Sequence, residues 1–474
     1  MSDRGQSVYT LAGAEERRKL GLEDTMGRKK AKQSIFPINQ LPREILAQIF
    51  WHCVPENRDL PRLMSSNSAP LLLCRVCPSW RQLALATPNI WTTVGIIIRT
   101  QDADPSAFSH VINIWLERSG ILPLTLYLVQ HLGAGTRLDA YAHLKAILSV
   151  LYSHSSRWEN VTFNWFESPE LSLPRLGKLP FLRAFHLFVP SRISICPLFS
   201  ETPPRLAQLS WPHTHHASMN PQIPWSQITY LHIVDLMTVS SASEMIRLCP
   251  QMEEFSVHLE QDHEFMAMVA DSHVPRGSRV VNYHLQKLSI SVEGDCSSLL
   301  DSLALPALRE FLSFFYEDLD YAALPFTCHS LLAFLTQSKC KLKELRFYDC
   351  RFIDSAFLEC LAHESLETIE VLDIAYNPKF TDPVLIGLTD LPSLPAHRVL
   401  LPKLTHLTLK MCLASASPGT LGGMLLSRYC SREHEAPVER LESLSLMVRD
   451  GYLSEADKDI IEDAAAEGVK VELL

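Results

Sequence analysis

Residues 342–350 read Leu-Lys-Glu-Leu-Arg-Phe-Tyr-Asp-Cys, and this stretch holds the pattern that decides the fold. Apolar side chains stand at its first, fourth and sixth positions. Apolar residues that alternate with polar ones are typical of a β-strand with one buried face. The stretch therefore predicts a short strand that buries Leu345 and Phe347 and turns Arg346 and Tyr348 outward.

The same phrase, apolar-x-x-apolar-x-apolar, recurs through the rest of the chain. Its copies lie at residues 158–163, 182–187, 206–211, 228–233, 252–257, 285–290, 308–311 (a degraded copy), 342–347, 369–374, 404–409 and 441–446. The first four steps between middle residues are 24, 24, 22 and 24 residues, and the later steps range from 23 to 37. Helix-like stretches fall between copies at 241–248, 329–338, 355–363 and 417–429. Strand plus helix at near-constant spacing predicts an α/β solenoid whose strands line one concave sheet.

A second pattern marks the end of three consecutive copies. The third residue after the last apolar strand position is Cys350, Asn377 or Cys412. This resembles leucine-rich repeats, whose consensus places Asn or Cys at the same point. The resemblance implies a side chain that points inward where the chain turns off the strand. Asn can bond backbone groups of the neighbouring turn there, while Cys mostly packs.

A different pattern precedes the repeats. Residues 41–52 read Leu-Pro-Arg-Glu-Ile-Leu-Ala-Gln-Ile-Phe-Trp-His, and residues 71–91 contain Val-Cys-Pro-Ser-Trp and close on Trp91. Pro42 fits the first turn of a helix, because an N–H at that position has no partner within the helix. Apolar residues wrap most of this short helix, so it needs packing partners on more than one side. Second and third helices, around 71–77 and 80–86, can cover one side.

This N-terminal segment resembles an F-box, which docks on a Skp-family adaptor and delivers a captured protein to a cullin–RING ubiquitin ligase. The positions that the family uses to face the adaptor, or to hold the helices against it, are occupied here by Leu41, Pro42, Ile45, Ile49, Val76 and Trp80. The polar stretch 55–70 is longer than the compact family pattern, and it is either a harmless loop or an obstacle to docking. A helical cap of ordinary core is the alternative interpretation.

Residues 92–154 join the helices to the repeats. Strands are predicted at 91–98 and 124–128, with a helix at 107–117 between them and an amphipathic helix at 139–153. The runs Ile-Trp-Leu-Glu-Arg-Ser-Gly at 114–120 and Ser-Ser-Arg-Trp-Glu at 155–159 are similar to large F-box families of mushroom-forming fungi. A helix at 453–466 and a strand at 469–473 are expected to cap the array.

Composition excludes several classes of protein. The net charge of −10 opposes a nucleic-acid binder, which normally presents a basic face. The sequence contains no apolar run of about 18 residues, so no membrane partner is expected. Twelve cysteines without a dense framework fit a reduced cytoplasmic or nuclear setting. The basic cluster at 28–32 is either a nuclear import signal or part of a solvated tail.

Motifs that carry chemistry are sparse. Cys74-x-x-Cys77 lacks a second pair with ligand spacing, and packed thiols are the favoured interpretation. His213-x-His215-His216 has no carboxylate or thiolate beside it. No phosphate-binding glycine loop and no Gly-x-Ser-x-Gly elbow occur in the sequence. We therefore predict no cofactor, no metal site and no catalytic residue.

Function is then expected on surfaces, above all on the outward side of the repeat strands. The outward residues include His232, His258, Ser289, Arg346, Tyr348, Asp373, Thr408 and Lys410. Six of them, His232, His258, Arg346, Tyr348, Asp373 and Lys410, are the predicted partner-binding residues. Repeat arrays commonly bind partners on this surface, and Tyr and Arg are favoured anchors. An ordinary solvated strand face is the alternative.

The chain is thus divided into a polar tail (1–33), an F-box-like helical module (34–91), an α/β joining segment (92–154) and a repeat solenoid (155–474). With the resemblance, this organisation implies a non-catalytic substrate receptor of an SCF-type ubiquitin ligase. Its partners would be a Skp-family adaptor, through it a cullin, and an unidentified target protein. The alternative is a scaffold protein that binds partners through the solenoid without ligase work.

Overall fold

The computed structural model describes most of the chain in two compact units, Met1–Ile49 and Phe50–Leu474. The described residues are 38–54, 64, 66–99, 105–131, 137–165, 173–189, 198–212, 222–260, 279–293, 295–315, 327–350, 352, 354–377, 380–390, 399–413, 416–429, 438–448 and 453–473. The predicted tail (1–33), with its basic cluster, lies outside them, as do His213, His215 and His216.

In the first unit, a 3-10 turn over Ile38–Gln40 leads into the helix Arg43–His52, which continues past the unit boundary. The backbone N–H of Leu46 donates to the Pro42 carbonyl at 3.0 Å, so Pro42 opens the helix without needing a donor of its own. Glu44 in the first turn is favourable at the positive end of the helix dipole.

The second unit opens with two short helices, Leu73–Val76 and Pro78–Leu85, and a 3-10 turn over Pro88–Trp91. Cys77 separates the helices in an extended conformation, and Pro78 starts the next helix with its fixed φ. The ring of buried Phe50 lies 4.9 Å from that of Trp80. The helices expected near 71–77 and 80–86 are therefore present, although the first ends before Cys77.

A long parallel sheet dominates the second unit. Its strands are β1 (Thr93–Arg99), β2 (Leu124–His131), β3 (Trp158–Asn164), β4 (Ala184–Phe188), β5 (Gln208–Trp211), β6 (Tyr230–Met237), β7 (Glu254–Leu259), β9 (Lys287–Val292), β11 (Glu310–Phe315), β12 (Glu344–Tyr348), β13 (Val371–Ala375), β14 (His406–Lys410), β15 (Ser443–Met447) and β16 (Lys470–Leu473). Within the described ranges these 14 strands lie in chain order, and every neighbouring pair is parallel. The short strands β8 (Val280–Val281) and β10 (Leu303–Ala304) form a separate parallel pair.

Helices connect many of these strands. They are Pro105–Arg118, Arg137–Ser153, Val239–Leu248, Ser297–Ser302, Cys328–Ser338, Asp354–Leu361, Asp382–Leu388, Thr420–Tyr429 and Glu455–Ala466. Neighbouring helices pack on one another, as Cys328–Ser338 does on Asp354–Leu361. The fold is therefore mixed α/β with a solenoid-like succession of strands and helices. The strands predicted at the eleven copies of the apolar phrase are confirmed.

The apolar positions of the phrase form the core under the sheet. Leu345 and Phe347 are buried, whereas Arg346 and Tyr348 between and beyond them are half-buried. At the degraded copy, Ser313 takes the last apolar position and is fully buried. The same alternation in successive strands leaves one face of the sheet open.

The turn after three strands repeats the same geometry. Cys350, Asn377 and Cys412 are buried, as predicted from the consensus position. The residue before each one has a positive φ of 55–59°, which lets the chain leave the strand sharply. The thiol of Cys412 donates to the Ile374 carbonyl of the preceding strand at 3.3 Å. The inward side chains thus help to hold successive turns together.

Arg157 binds the two sequence runs at 114–120 and 155–159 to each other. Its guanidinium donates to the Leu122 carbonyl at 2.9 Å and to the buried hydroxyl of Ser119 at 2.6 Å. Ser119 also donates to the Leu116 carbonyl at the end of the helix Pro105–Arg118. Because β1 and β2 pair in register and β2 pairs with β3, the joining segment is continuous with the repeat sheet.

Candidate binding surface

The open face of the sheet consists of the strand residues that alternate with the buried core. The register aligns its middle row across neighbouring strands, and the members of that row are Tyr127, Thr162, His186, Ser210, His232, Ser256, Ser289, Leu312, Arg346, Asp373, Thr408, Ser445 and Glu472. Neighbouring strands lie about 4.8 Å apart, a spacing at which side chains of adjacent members of the row can contact each other.

Three of the predicted partner-binding residues come together on β12 and β13. The Tyr348 hydroxyl donates to Asp373 Oδ2 at 2.6 Å. The Tyr348 ring stacks on Phe314 of β11 with centroids 4.6 Å apart and planes 9° apart. Arg346 donates to Glu344 Oε2 at 2.9 Å. We call Phe314, Glu344, Arg346, Tyr348 and Asp373 the tyrosine cluster.

Asp373 keeps the outward register that the sequence predicts, yet its side chain is only 5% exposed. Burial and the Asp373 carboxylate raise the pKa of Tyr348 to about 12, so the phenol is a neutral donor at neutral pH. Although burial favours the neutral guanidine, Glu344 and Asp373 hold the pKa of Arg346 above its ordinary value. Among the described residues, Arg346 Nε and Asp373 Oδ1 find no hydrogen-bond partner.

A second group of aromatic side chains lies on β4 to β6. His186 Nδ1 is 2.8 Å from the Ser210 hydroxyl, and its ring meets Tyr230 edge to face at 5.8 Å. Phe188 stacks with His186 and meets the predicted residue His232 edge to face at 5.7 Å. We call His186, Phe188, Tyr230 and His232 the histidine cluster. His186 is not among the predicted partner-binding residues, although it follows the buried Phe185 as Arg346 follows Leu345.

The two remaining predicted residues stand apart from these contacts. His258 of β7 lies 3.5 Å from Glu293 Oε1, and burial lowers its pKa while Glu293 opposes that shift. Lys410 ends β14, where it is in register with Ala375 and half-buried.

The charge of the open face also differs along its length. At the aligned positions of β2 to β5 the described side chains carry no formal charge, whereas β12 to β14 carry both signs.

The histidine cluster predicts a loss of stability in mild acid. Burial, and then the nearby His232, lower the pKa of His186 to about 4. Between pH 6.5 and 4, His186 binds a proton in the unfolded chain but not in the folded chain. Its contribution to the free energy of unfolding is therefore fully present above pH 6.5 and is lost as the pH falls towards 4. The loss from this residue is roughly 3 kcal/mol.

Chemical denaturation of the His186→Asn variant at pH 7 and pH 4.5 measures this effect. We expect a clearly smaller pH dependence than in the unaltered protein. His284→Asn, at an exposed position, is the matched control and leaves the pH dependence unchanged. An equal pH dependence in all three proteins would contradict the assignment to His186.

The residues predicted to contact an adaptor fall in both units. In the first unit, Ile45 leaves 43% of its surface exposed, Pro42 is exposed, and Leu41 and Ile49 are half-buried. Leu46, next to Ile45 in the same helix, is buried. The helix therefore carries both a covered and an uncovered apolar side.

In the second unit, Val76 is 54% exposed and Trp80 is half-buried against Phe50. Leu72 and Trp51 are exposed as well. Leu72 lies one helical turn before Val76, and large apolar side chains exposed next to each other often mark an interaction site. Most of the polar stretch 55–70 lies outside the described residues.

The Cys74-x-x-Cys77 motif forms no metal-binding group in the part of the chain that the structure describes. Cys74 is half-buried, and Cys77 hydrogen-bonds to the Ser79 hydroxyl at 3.1 Å. Within the described ranges, no three His, Cys, Asp or Glu side chains stand close enough to hold a metal ion. None of the described helices combines the length and hydropathy that a membrane crossing requires.

Comparison with known proteins adds no identification: no family model matches the chain, and no curated protein matches its sequence.

Proposed function

We propose that this chain is the substrate-recognition subunit of an SCF-type cullin–RING ubiquitin ligase. Its N-terminal helices dock on a Skp-family adaptor, and the open face of the repeat sheet holds the target protein. The exposure of Ile45 and of Val76 carries the proposal. Both are apolar, both are uncovered, and both stand where the F-box resemblance requires contact with the adaptor.

The energetics favour a partner on these helices. Fully burying an exposed Ile or Val side chain stabilises a complex by about 1.5–3 kcal/mol. Ile45 and Val76 are 43% and 54% exposed, so covering each contributes roughly half of that value. Such residues are unremarkable when scattered singly, but here Val76 has the exposed Leu72 one helical turn before it. An adaptor that covers them would recover this free energy.

The open face supports the second half of the proposal. The tyrosine cluster combines a stacked ring pair, a phenol, a guanidinium and carboxylates, which are residue types that often anchor protein interfaces. Arg346 and Tyr348 keep part of their surface exposed on this face, so a bound target can contact both side chains.

The chain itself then performs no chemistry. It brings a target lysine close to a transfer enzyme carried by other subunits, so its contribution to the reaction is positioning. Positioning requires a stiff connection, and stacked repeats in which each strand pairs with the next provide one.

Binding of the full chain to a purified Skp-family adaptor tests the proposal. Ile45→Asp and Val76→Asp each place a charge in the proposed interface, and we expect each to weaken binding more than 100-fold, which corresponds to about 3 kcal/mol. Gln48→Asp and Gln82→Asp introduce the same charge at exposed polar positions and serve as matched controls, with affinity changed less than about threefold.

Two results would contradict the proposal. One is an unaltered protein that does not bind the adaptor when calorimetry and circular dichroism show that it is folded. The other is binding that Ile45→Asp and Val76→Asp leave unchanged. Either result favours a protein-binding scaffold that does not belong to a ligase.

A further inference from the structure

Two free thiols lie close together on neighbouring helices. Cys328 is the first residue of the helix Cys328–Ser338, and Cys360 lies near the end of the helix Asp354–Leu361. The Cys360 thiol donates to the Cys328 carbonyl oxygen at 3.5 Å, so the Cys360 sulfur lies beside residue 328. The two helices belong to successive repeats and pack directly on one another.

The two thiols differ in accessibility and in acidity. Cys328 is half-exposed, whereas Cys360 is fully buried. The neighbouring Cys360 thiol lowers the pKa of Cys328, although burial and Glu359 oppose the shift. Cys328, together with burial, raises the pKa of Cys360. Cys328 also stands at the positive end of its helix, a position that stabilises a thiolate.

We propose that Cys328 and Cys360 form an oxidation site, at which a peroxide converts the thiol pair into a disulfide between adjacent repeats. Cys328 is the attacking residue because it combines access with thiolate character, and Cys360 resolves the product. The site is independent of the proposed ligase function.

The Cys328 thiolate attacks one oxygen of hydrogen peroxide, the O–O bond breaks, and hydroxide leaves, so that Cys328 becomes a sulfenic acid. The Cys360 sulfur then attacks the sulfenic sulfur, the S–O bond breaks, and the oxygen leaves as water with the Cys360 proton. The hydroxide takes up a solvent proton. Two sulfur atoms have lost two electrons in total, and the peroxide has become two waters.

The disulfide would close a loop that contains β12. Residues 328 to 360 include Arg346 and Tyr348, so oxidation constrains the segment that carries most of the tyrosine cluster. A cross-link between two packed helices stabilises the folded state chiefly by restricting the unfolded chain. Oxidation is thus expected to raise the melting temperature of the segment.

The test uses the full, reduced chain treated with one equivalent of hydrogen peroxide and then blocked with an alkylating agent. Trypsin separates the two cysteines, because Lys339 and Arg351 lie between them. Non-reducing mass spectrometry is expected to find the two peptides joined, with a mass about 2 Da below their sum for the two hydrogens lost. The cross-link should disappear on reduction.

Two variants make the assignment specific. Cys360→Ser should abolish the cross-link and leave Cys328 as a sulfenic acid that dimedone traps. Cys340 is another buried cysteine, just after the helix Cys328–Ser338, and burial raises its pKa to about 11. The Cys340→Ser variant should leave the cross-link intact. The inference is overturned if the exposed Cys53 is oxidised in the unaltered protein while Cys328 and Cys360 remain free thiols. It is also overturned if Cys328 pairs with another cysteine.

Discussion

Replacing Arg428 with Met is expected to destabilise the C-terminal repeats by about 4 kcal/mol or more. Arg428 is 3% exposed and lies on the helix Thr420–Tyr429. Its guanidinium donates to the carbonyls of Leu388 and Leu400 at 2.7 Å each and to that of Leu401 at 3.1 Å. Met fills much of the same volume but donates nothing, so two buried carbonyls and one partly buried carbonyl lose their partner.

Because each repeat contacts mainly its neighbours, the loss should be local and is measured best by hydrogen exchange. Amides of the helices Asp382–Leu388 and Thr420–Tyr429 should exchange at least 100-fold faster, while those of β3 to β5 change little. Lys403→Met, at an exposed site in the same region, is the control and should change stability by less than about 0.5 kcal/mol. Equal exchange in the Arg428 and Lys403 variants would show that the three hydrogen bonds contribute nothing.

Trp91→Ala is expected to cost about 3–5 kcal/mol, because it removes a fully buried aromatic side chain from the joint between the short helices and the sheet. Its indole N–H donates to the Ala84 carbonyl at 2.8 Å, at the end of the helix Pro78–Leu85. Its ring meets Trp115 edge to face at 4.9 Å, and the Arg118 guanidinium lies 4.6 Å above it. One side chain thus connects three elements of the second unit.

Urea denaturation and a ubiquitylation assay separate the two consequences of this change. Stability should fall in Trp91→Ala and stay within about 0.5 kcal/mol in Trp51→Ala, which alters an exposed tryptophan. If the chain is a ligase receptor, Trp91→Ala should retain adaptor binding while target ubiquitylation declines. The reason is that the joint no longer fixes the distance between the short helices of the second unit and the repeat sheet. Full stability of Trp91→Ala would refute the role of the joint.

The repeat strands could be predicted because each has a local cause in the sequence. Leu345 and Phe347 alternate with polar neighbours, and the same alternation in the other copies locates every strand from β3 to β15 in the long sheet. The inward position of Cys350 follows from its place after the strand. The pair β8 and β10 was missed, because a strand of two residues has no measurable period.

The candidate site was predicted only in part, since its contacts join residues far apart in the chain. Arg346 and Tyr348 follow from alternation, but Asp373 lies 25 residues beyond Tyr348, and only the register shows that it is covered. Arg428 is a charged residue in the helix Thr420–Tyr429, and no neighbouring residue in the sequence indicates that three carbonyls surround it. The contact between Cys328 and Cys360 likewise depends on the packing of two helices.

Hydrogen exchange of the full chain, measured with and without a saturating Skp-family adaptor, shows whether the N-terminal helices are a docking site. We predict that amides in the helix Arg43–His52, and separately in the helices Leu73–Val76 and Pro78–Leu85, exchange at least tenfold more slowly when the adaptor is present. Unchanged exchange in these helices at saturating adaptor would contradict the claim that they form a docking site.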